Sequence, residues 1–324
     1  MTQIDTLGYP IAIGALDDAA LPATRLFLVT DENVARSGWA DRLRCAFVGR
    51  LVLPPGEASK TLATVERLLD AMIDAGMGRA DHVVGVGGGV VGDVAGFAAS
   101  LLKRGCNWIA VPTSLLAQAD SAVGGKTGVN APQGKNLIGA FHPPSLVLID
   151  PETLSSLPEA ELRAGYAEVV KYGLIADPGF FAWCEANGAA LIAGDREARR
   201  YAIETCVRAK AQLVAGDERD LNGRRALLNF GHSFGHAIEA ETGIRHGEAV
   251  AIGMAMALRL SVERGLCPPA DAERAVAHLE SVGLPTETDL EAGRLEARMA
   301  HDKKGAALIL SRGIGQAFLD SGPP

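Results

Sequence analysis

The chain has 324 residues, of which 48% are hydrophobic, so it is long enough for about two domains with sizeable cores. Its net charge of −8, without a long basic run, argues against a nucleic-acid-binding surface. No apolar run reaches the ~20 residues that a membrane span needs, and the first residues lack the pattern of a signal peptide, so we expect neither.

The five cysteines are scattered along the chain and form no C-x-x-C pair. This spacing favours reduced thiols over a disulfide framework or a cysteine-bound zinc. We therefore expect a soluble, acidic protein of the cytoplasm that associates with neither nucleic acid nor membrane. Local clusters of basic residues are still able to bind an anionic small molecule.

Short apolar runs bounded by Gly, Pro or Asp alternate with amphipathic stretches in the first half of the chain. We predict buried strands over residues 25–31, 50–57, 82–89, 108–114 and 146–151, and a helix over 61–76. Strands that alternate with helices favour a mostly parallel sheet covered on both faces.

From about residue 158 the pattern changes to consecutive helices. We predict helices over 159–176, 196–215, 225–242, 247–264 and 270–282, and a returning hairpin over 306–320. The fold class is therefore an α/β nucleotide-binding domain over residues 1–156, followed by a largely helical domain over 157–324. A ligand is expected in a cleft between such domains.

A glycine-rich turn follows one predicted strand and opens a helix, and Gly87, Gly89 and Gly92 fit the pattern G-x-G-x-x-G. Such glycines let the backbone approach a pyrophosphate, and a helix N-terminus favours an anion. The acidic residue usual about 20 positions later is missing, although Asp31 closes the first strand. The motif favours nucleotide binding, and the alternative is a turn selected only for packing.

Three of the seven histidines lie within residues 231–250. His232 and His236, four apart, could bind one metal ion from a single helix face, and His246 follows. A zinc site usually has three protein ligands, and Glu168 is a candidate because a carboxylate in an apolar helix is costly to bury unless it is paired or metal-bound. The alternative is a surface ion pair between Glu168 and Lys171. These patterns leave open which two histidines bind the metal.

Basic and amide side chains recur near these motifs. They are Lys126, Lys135, Asn136, Lys210, Arg225 and Asn229. Any single one is most simply a solvated surface residue, but as a set they predict a pocket for phosphate or carboxylate groups. A nucleotide, a divalent metal and an anionic substrate together suit hydride transfer of the dehydrogenase type.

Several long segments resemble the 3-dehydroquinate synthase family of the sugar-phosphate cyclase superfamily. They are GGGVVGDVAGFAAS, VPTSLLAQADSAVGGKTGVN, GKNLIGAFHPP, LRAGYAEVVKYG, RALLNFGHSFGHAIE and HGEAVAIGM. They occur in the family's order and at nearly its spacing, so the resemblance covers almost the whole chain. It implies the dehydroquinate synthase-like fold.

The resemblance also implies a reaction. The family's enzymes are NAD- and zinc-dependent carbon–oxygen lyases, in which Co²⁺ can stand in for zinc. They cyclise 3-deoxy-D-arabino-heptulosonate 7-phosphate to 3-dehydroquinate in the shikimate pathway of aromatic amino acid biosynthesis. In the family, NAD oxidises a ring hydroxyl held by zinc, phosphate is eliminated and the ketone is then reduced, so no net redox occurs.

Individual roles follow from the same resemblance. The zinc ligands are expected to be Glu168, His232 and His246, with His236 facing the substrate phosphate. Asp120 and Lys171 are expected near the zinc-bound hydroxyls, and Lys210 and Arg225 near the carboxylate. The positions around the phosphate are Lys126, Asn136, Asn229 and either Lys303 or Lys304. Lys135 is a further substrate-binding position. The NAD positions are Asp31, Glu57, Lys60, Gly88, Gly89, Asp93, Thr113, Ser114 and Ser156, with Lys126 and Lys135 nearby. Arg104 matches an arginine that the family supplies across a homodimer interface.

The chain departs from the family in a few places. Asp220 stands where a substrate-binding glutamate is usual, on a lengthened loop, so we expect its shorter carboxylate to contact the substrate differently. Ser114 and Ser156 replace threonines but keep the hydroxyl. The segment before His246 is shorter than usual, so the approach of that ligand could be rearranged.

Three alternatives to this function remain open. A cyclase of secondary metabolism, such as aminodehydroquinate synthase, would use an analogous substrate. A metal-dependent NAD alcohol dehydrogenase would accumulate NADH instead of releasing phosphate. A catalytically inactive NAD-binding protein would have no physical reason to keep a costly buried metal site.

Overall fold

The computed structural model describes residues 1–5, 7–215, 217, 225–302 and 308–320. By their internal contacts the residues group into two compact units. The first comprises Met1–Leu157 and Ile203–Arg219, and the second comprises Pro158–Ala202 and Asp220–Pro324.

A seven-stranded sheet forms the centre of the first unit. The strands of this unit are β1 (Thr2–Asp5), β2 (Pro10–Ile13), β3 (Leu26–Asp31), β4 (Gly49–Leu53), β5 (His82–Gly87), β6 (Asn107–Pro112), β7 (Lys126–Ala131), β8 (Gly134–Phe141) and β9 (Leu146–Ile149). The sheet order is β1-β2-β9-β6-β5-β3-β4. Only the β1–β2 pair is antiparallel. The five predicted strands are present as β3, β4, β5, β6 and β9, but the predicted burial of β4 is wrong, because it is an edge strand in which only Leu53 is buried.

Two further pairs of strands were not predicted. β1 and β2 form an antiparallel hairpin at the start of the sheet, and β7 and β8 form a separate antiparallel hairpin. The segments of the second hairpin are rich in Gly, Lys and Asn rather than in β-branched residues, so their pattern does not predict strands. This hairpin carries Lys126, Lys135 and Asn136 of the predicted site.

The first unit contains three helices within residues 1–157. They are α1 (Glu32–Ser37), α2 (Leu62–Asp74) and α3 (Gly89–Leu101). The predicted helix over 61–76 is confirmed as α2, which Thr61 caps and which buries Val65, Leu68 and Met72. One core of this unit is built on the strand residues Leu28, Val86 and Ile109.

The second unit is mainly helical, as predicted. Its helices are α4 (Glu159–Ala176), α5 (Pro178–Ala193), α6 (Arg196–Val214), α7 (His232–Thr242), α8 (His246–Glu263), α9 (Pro269–Ser281) and α10 (Ala292–Asp302). The last part of α6 belongs to the first unit. The returning hairpin is confirmed as β10 (Leu308–Ser311) and β11 (Ala317–Asp320). Among the helices in the described part of the chain, none combines the length and hydropathy needed to cross a bilayer.

The prediction of one continuous helix over 225–242 is wrong. A 3₁₀ turn, Arg225–Asn229, precedes α7, and Gly231 between them has φ 79°, which is left-handed backbone. A Cβ at Gly231 would lie 2.6 Å from the side chain of Met254 in α8, so this corner also packs tightly. Helix α5 was not predicted, although Asp177 caps it and Pro178 opens it.

Candidate active site

Three helices of the second unit bring together Glu168 from α4, His232 from α7 and His246 from α8. One ligand atom from each residue lies within 4.8 Å of the other two. Nε2 of His232 is 3.4 Å from Oε1 of Glu168, and Nε2 of His246 is 3.5 Å from the same oxygen. The two histidines that converge on the carboxylate are therefore His232 and His246, whereas His236 is not one of them.

Glycines allow these helices to approach closely. A Cβ added to Gly247, the second residue of α8, would lie 1.8 Å from the carbonyl oxygen of Ala164 in α4. A Cβ on Gly253 would lie 1.9 Å from the carbonyl oxygen of Gly231, at the corner before α7. Because no side chain fits at either contact, the backbones of the three ligand-bearing helices can pack against each other directly.

Glu168 is ionised despite its burial. It forms an ion pair through Oε2 with Lys171, and each of the two side chains is only 1% exposed. Burial alone would raise the pKa of Glu168, but the charge of Lys171 and the neighbouring histidines hold it well below its ordinary value. The alternative of a surface ion pair between these residues is wrong, because the pair lies in the protein interior.

The imidazole of His232 is neutral and its tautomer follows from its neighbours. Burial lowers its pKa to about 3, against the attraction of Glu168. Nδ1 lies 3.2 Å from the carbonyl oxygen of Phe230, which can only accept a hydrogen bond, so Nδ1 carries the proton. The lone pair of Nε2 is thus available on the side of Glu168.

His246 lies between two carboxylates. Its Nδ1 is 3.1 Å from Oε2 of Glu239, and its Nε2 is on the side of Glu168. Burial opposes a charge on His246, but the two carboxylates outweigh burial and raise its pKa to about 9. A cation bound by Nε2 would take the place of a proton there.

The cluster fits a divalent metal ion. Within the described residues, Oε1 of Glu168 is buried and accepts no well-formed hydrogen bond, although two Nε2 atoms lie close to it. A buried carboxylate oxygen beside an imidazole lone pair is unfavourable unless a cation lies between them. One oxygen and two nitrogen ligands from the protein are typical of a catalytic zinc site.

His236 stands beside this cluster. The centroid of its ring is 5.3 Å from that of His232 and 5.8 Å from that of His246, and the residue is partly buried. Arg225 and Asn229 begin and end the 3₁₀ turn that leads to α7, and Arg225 is buried. Their predicted roles toward the substrate stay predictions.

The predicted glycine turn lines an open pocket in the first unit. β5 ends at Gly87, Gly88 precedes the first turn of α3, and both line the pocket together with Gly92. A Cβ on Gly87 would lie 2.5 Å from Val91, so this glycine is needed for packing the helix on the strand. A Cβ on Gly92 would meet no atom within 4 Å, so that glycine leaves space for a ligand.

Polar side chains form a connected network near this turn. Lys60 is buried, and its Nζ lies 2.5 Å from Oδ2 of Asp93 and binds Oδ1 of Asn136. The backbone N of Asn136 donates to Oδ1 of Asn130 at 2.9 Å, and Nδ2 of Asn130 donates to Oε1 of Glu57 at 2.7 Å. Burial raises the pKa of Asp93, although Lys60 opposes this. Asn130 was not predicted, and the only indication in the sequence was an amide side chain among the basic and amide residues of this segment.

Two residues predicted for different parts of the substrate, Asp120 and Lys210, form an ion pair in the first unit, and this pairing was not predicted. Asp120 belongs to a π-helical turn, Ala117–Ser121, and such turns are frequent at functional sites. Nζ of Lys210 lies 2.5 Å from Oδ1 of Asp120 and donates to its carbonyl oxygen at 2.8 Å. Lys126 and Lys135 are exposed on the β7–β8 hairpin.

Other predicted cofactor positions have partners within the protein. Oδ1 of Asp31 caps α1 by accepting hydrogen bonds from Asn33 N at 2.8 Å and Val34 N at 3.0 Å. Oγ of Ser156 accepts a hydrogen bond from Nε1 of Trp39 at 2.8 Å. Both residues thus contribute to the local structure, whatever they bind in addition.

Thr113 and Ser114 lie beside the glycine turn. The backbone N of Thr113 donates to the carbonyl oxygen of Gly87 at 2.9 Å, and Ser114 Oγ would be 3.4 Å from a Cβ on Gly88. Arg104 is exposed just after α3, with φ 69°. Asp220, Lys303 and Lys304 lie outside the described residues.

Comparison with known families supports one assignment for both halves of the chain. The family described as 3-dehydroquinate synthase N-terminal matches residues 50–164, and the one described as 3-dehydroquinate synthase C-terminal matches residues 165–305. A 3-dehydroquinate synthase of Rhodospirillum rubrum is 52% identical over 96% of this chain and 88% of its own. One of Zymomonas mobilis is 51% identical over 91% of this chain and 83% of its own.

Solved structures of cyclases are similar along the whole chain. The 2-epi-5-epi-valiolone synthase of Streptomyces hygroscopicus, solved with NAD⁺ and Zn²⁺, is 31% identical with a TM-score of 0.90 over 100% of this chain and 95% of that one. A 2-deoxy-scyllo-inosose synthase, solved with carbaglucose-6-phosphate, NAD⁺ and Co²⁺, is 29% identical with a TM-score of 0.87 over 98% of this chain and 93% of that one. An iron-containing alcohol dehydrogenase, 17% identical with a TM-score of 0.67 over 92% of this chain and 91% of that one, shares the fold alone.

Proposed function

Because the chain belongs to the 3-dehydroquinate synthase family, a family of lyase-type cyclases, we propose that it catalyses the reaction after which the family is named. The substrate is 3-deoxy-D-arabino-heptulosonate 7-phosphate, and the products are 3-dehydroquinate and phosphate, in the shikimate pathway of aromatic amino acid biosynthesis. The observation that carries this proposal is the buried convergence of His232 and His246 on Glu168, whose Oε1 accepts no well-formed hydrogen bond among the described residues.

We propose that the enzyme depends on zinc, with Co²⁺ as a functional substitute. Oε1 of Glu168 and Nε2 of His232 and His246 would hold the ion, and two similar cyclases were solved with Zn²⁺ or Co²⁺. The bound ion would act as a Lewis acid for the substrate hydroxyls. Lys171 keeps Glu168 ionised, so the ligand is ready to bind without first losing a proton.

We propose NAD⁺ as the second cofactor, bound at the glycine turn of the first unit. The space beside Gly92, the N-terminus of α3 and the network around Lys60 and Asp93 support this assignment. Bound NAD⁺ would supply the hydride acceptor that is restored later in the same turnover. Asp120, held by Lys210, offers an ionisable group for handling substrate protons in this unit.

The remaining assignments stay proposals that follow from the family. Arg225 is buried and keeps a permanent charge, which suits a substrate carboxylate, and His236 suits the phosphate. Arg104 is exposed, as a residue that serves a partner subunit of a homodimer must be before assembly. A cytoplasmic location is supported by the five cysteines, all of which are free thiols. Residues 1–156 and 157–324 are proposed as the two domains, supported by the change to consecutive helices at α4.

The test is to measure phosphate release and NADH absorbance in one reaction with the full chain, NAD⁺, Zn²⁺ and the heptulosonate phosphate. The proposal requires phosphate release without lasting NADH. Steady NADH formation without phosphate would instead indicate a dehydrogenase. No product from this substrate, but phosphate release from its amino analogue, would indicate the cyclase of secondary metabolism. A Glu168→Gln variant serves as the metal-site control, since it should release no phosphate.

A further inference from the structure

Glu239 holds the outer nitrogen of one proposed metal ligand. Its Oε2 lies 3.1 Å from Nδ1 of His246, whereas Nε2 of the same ring is directed to Glu168. Glu239 is 9% exposed and belongs to α7, seven residues after His232, which places both on the same face of that helix. Helix α7 thus supplies one proposed ligand directly and contacts another through this carboxylate.

The two histidines differ in how they are oriented. Nδ1 of His232 faces the neutral carbonyl oxygen of Phe230, and the residue is buried. His246 is the first residue of α8, and its side chain is 30% exposed, so packing restrains its ring less. The ring of His246 is therefore oriented mainly by the carboxylate of Glu239. The ring of His232 is oriented by packing as well as by its contact with Phe230.

The short connection between the two helices makes this contact possible. α7 ends at Thr242 and α8 begins at His246, with Gly243 in the left-handed conformation at φ 70° between them. The turn brings the last part of α7 beside the first residue of α8. The segment that is shorter than usual for the family is therefore the one that places His246 beside Glu239.

We propose that Glu239 is a positioning residue of the metal site: it accepts the Nδ1 proton of His246, fixes the tautomer that leaves Nε2 for the metal, and increases the basicity of that nitrogen. This inference rests on the proposed metal-dependent function. The physical basis is general, because carboxylates that hold the outer nitrogen of a ligand histidine strengthen metal binding. Glu239 would act on a bound ion through His246.

The experiment compares the full-length wild type with Glu239→Ala, Glu239→Gln and the control Glu241→Gln. Glu241 lies on the same helix but forms an ion pair with Arg294 at 2.7 Å, so its substitution tests the loss of a charge without the contact to His246. The Zn²⁺ dissociation constant is measured by competition with a chromogenic chelator. The visible spectrum of the Co²⁺-loaded protein reports ligand geometry, and thermal unfolding in EDTA reports stability without metal.

We expect Glu239→Ala to weaken Zn²⁺ binding about 10–100-fold and to change the Co²⁺ spectrum. Glu239→Gln should lose less affinity, because its amide oxygen can still accept the Nδ1 proton, and Glu241→Gln should bind like the wild type. If Glu239→Ala does not fold, Glu239→Gln decides alone. Wild-type affinity in the Glu239 variants would overturn this inference and leave the proposed function intact. A wild type that binds no Zn²⁺ would overturn both.

Discussion

Glu168 and Lys171 form an ion pair inside α4, one helical turn apart, and each of the two side chains is only 1% exposed. Isolated ions of either sign are strongly unfavourable in such surroundings, so each residue depends on the other. The pair leaves Oε1 of Glu168 directed toward the two histidines while Oε2 is neutralised. A metal-binding carboxylate is thereby kept ionised before any metal arrives.

Replacing Lys171 by Met should destabilise the metal-free protein by about 3–5 kcal/mol, because the buried Glu168 would lose the cation of its closest ion pair. The measurement is denaturant unfolding in the presence of EDTA. Arg36→Met is the control, since Arg36 and Glu32 form an exposed pair at 4.0 Å that should contribute about 0–1 kcal/mol. Equal losses in the two variants would refute the argument from burial.

The choice between the histidines can be tested by metal content. His246→Ala should lose stoichiometric zinc after dialysis, because it removes one of three converging ligand atoms. His236→Ala should retain zinc but lose phosphate release, since this ring stands beside the cluster without joining it. If His236→Ala lost zinc and His246→Ala retained it, the metal would instead be bound by His232 and His236, which lie four residues apart on α7.

Replacing Gly92 or Gly87 of the glycine turn by alanine should change the stability of the protein in opposite directions. Gly92→Ala places a methyl group in open space within a helix, so it should raise stability by about 0.5–1 kcal/mol while weakening NAD⁺ binding. Gly87→Ala should lower stability instead, because the new Cβ would lie 2.5 Å from Val91. Thermal unfolding and NAD⁺ titration measure both effects. Unchanged NAD⁺ affinity in Gly92→Ala would place the cofactor elsewhere.

Gly247 should be essential for assembling the metal site. Alanine there would bring a Cβ to 1.8 Å from the carbonyl oxygen of Ala164, so α8 must move away from α4 at a cost of about 1–3 kcal/mol. We expect weaker Zn²⁺ binding as well as lower stability. Gly293→Ala in α10 is the matched control, since its Cβ would meet no atom within 4 Å. Normal Zn²⁺ affinity in Gly247→Ala would contradict the proposed role of the close contact.

Stability should fall in acid partly because of His278. Burial lowers its pKa below the ordinary value of 6.5, although Glu185 opposes this, and Nε2 lies 2.9 Å from the hydroxyl of Tyr166. The unfolded chain therefore binds a proton more readily than the folded one, so this contribution is full above about pH 6.5 and is lost as the pH falls below it. His278→Gln should flatten the dependence of unfolding free energy on pH in that range. An unchanged slope would exclude His278 as the cause.

Much of the fold follows from local patterns that tertiary contacts do not change. Buried apolar runs alternating with helices determine the parallel strands β3, β5, β6 and β9, because a strand buried on both faces needs continuous apolar residues. The same holds for α4, α6, α8 and α9, whose apolar residues recur at helical spacing, whereas α5 and α10 were not predicted. Patterns fail where structure depends on glycine conformation, as at Gly231, or on polar strands, as in the β7–β8 hairpin.

The chemical groups of the site can be identified from the sequence: a glycine turn before a helix, a carboxylate in an apolar segment and three histidines close together. Which of these groups contact each other depends on how the helices pack. His232 and His236 are neighbours along one helix, yet His246 is the residue that shares Glu168, because glycines let α8 pack against α4 and α7. The same packing places Glu239 behind His246 and buries Lys171 with Glu168. Spacing along the chain describes only one helix at a time, whereas a metal ion is bound where several helices meet.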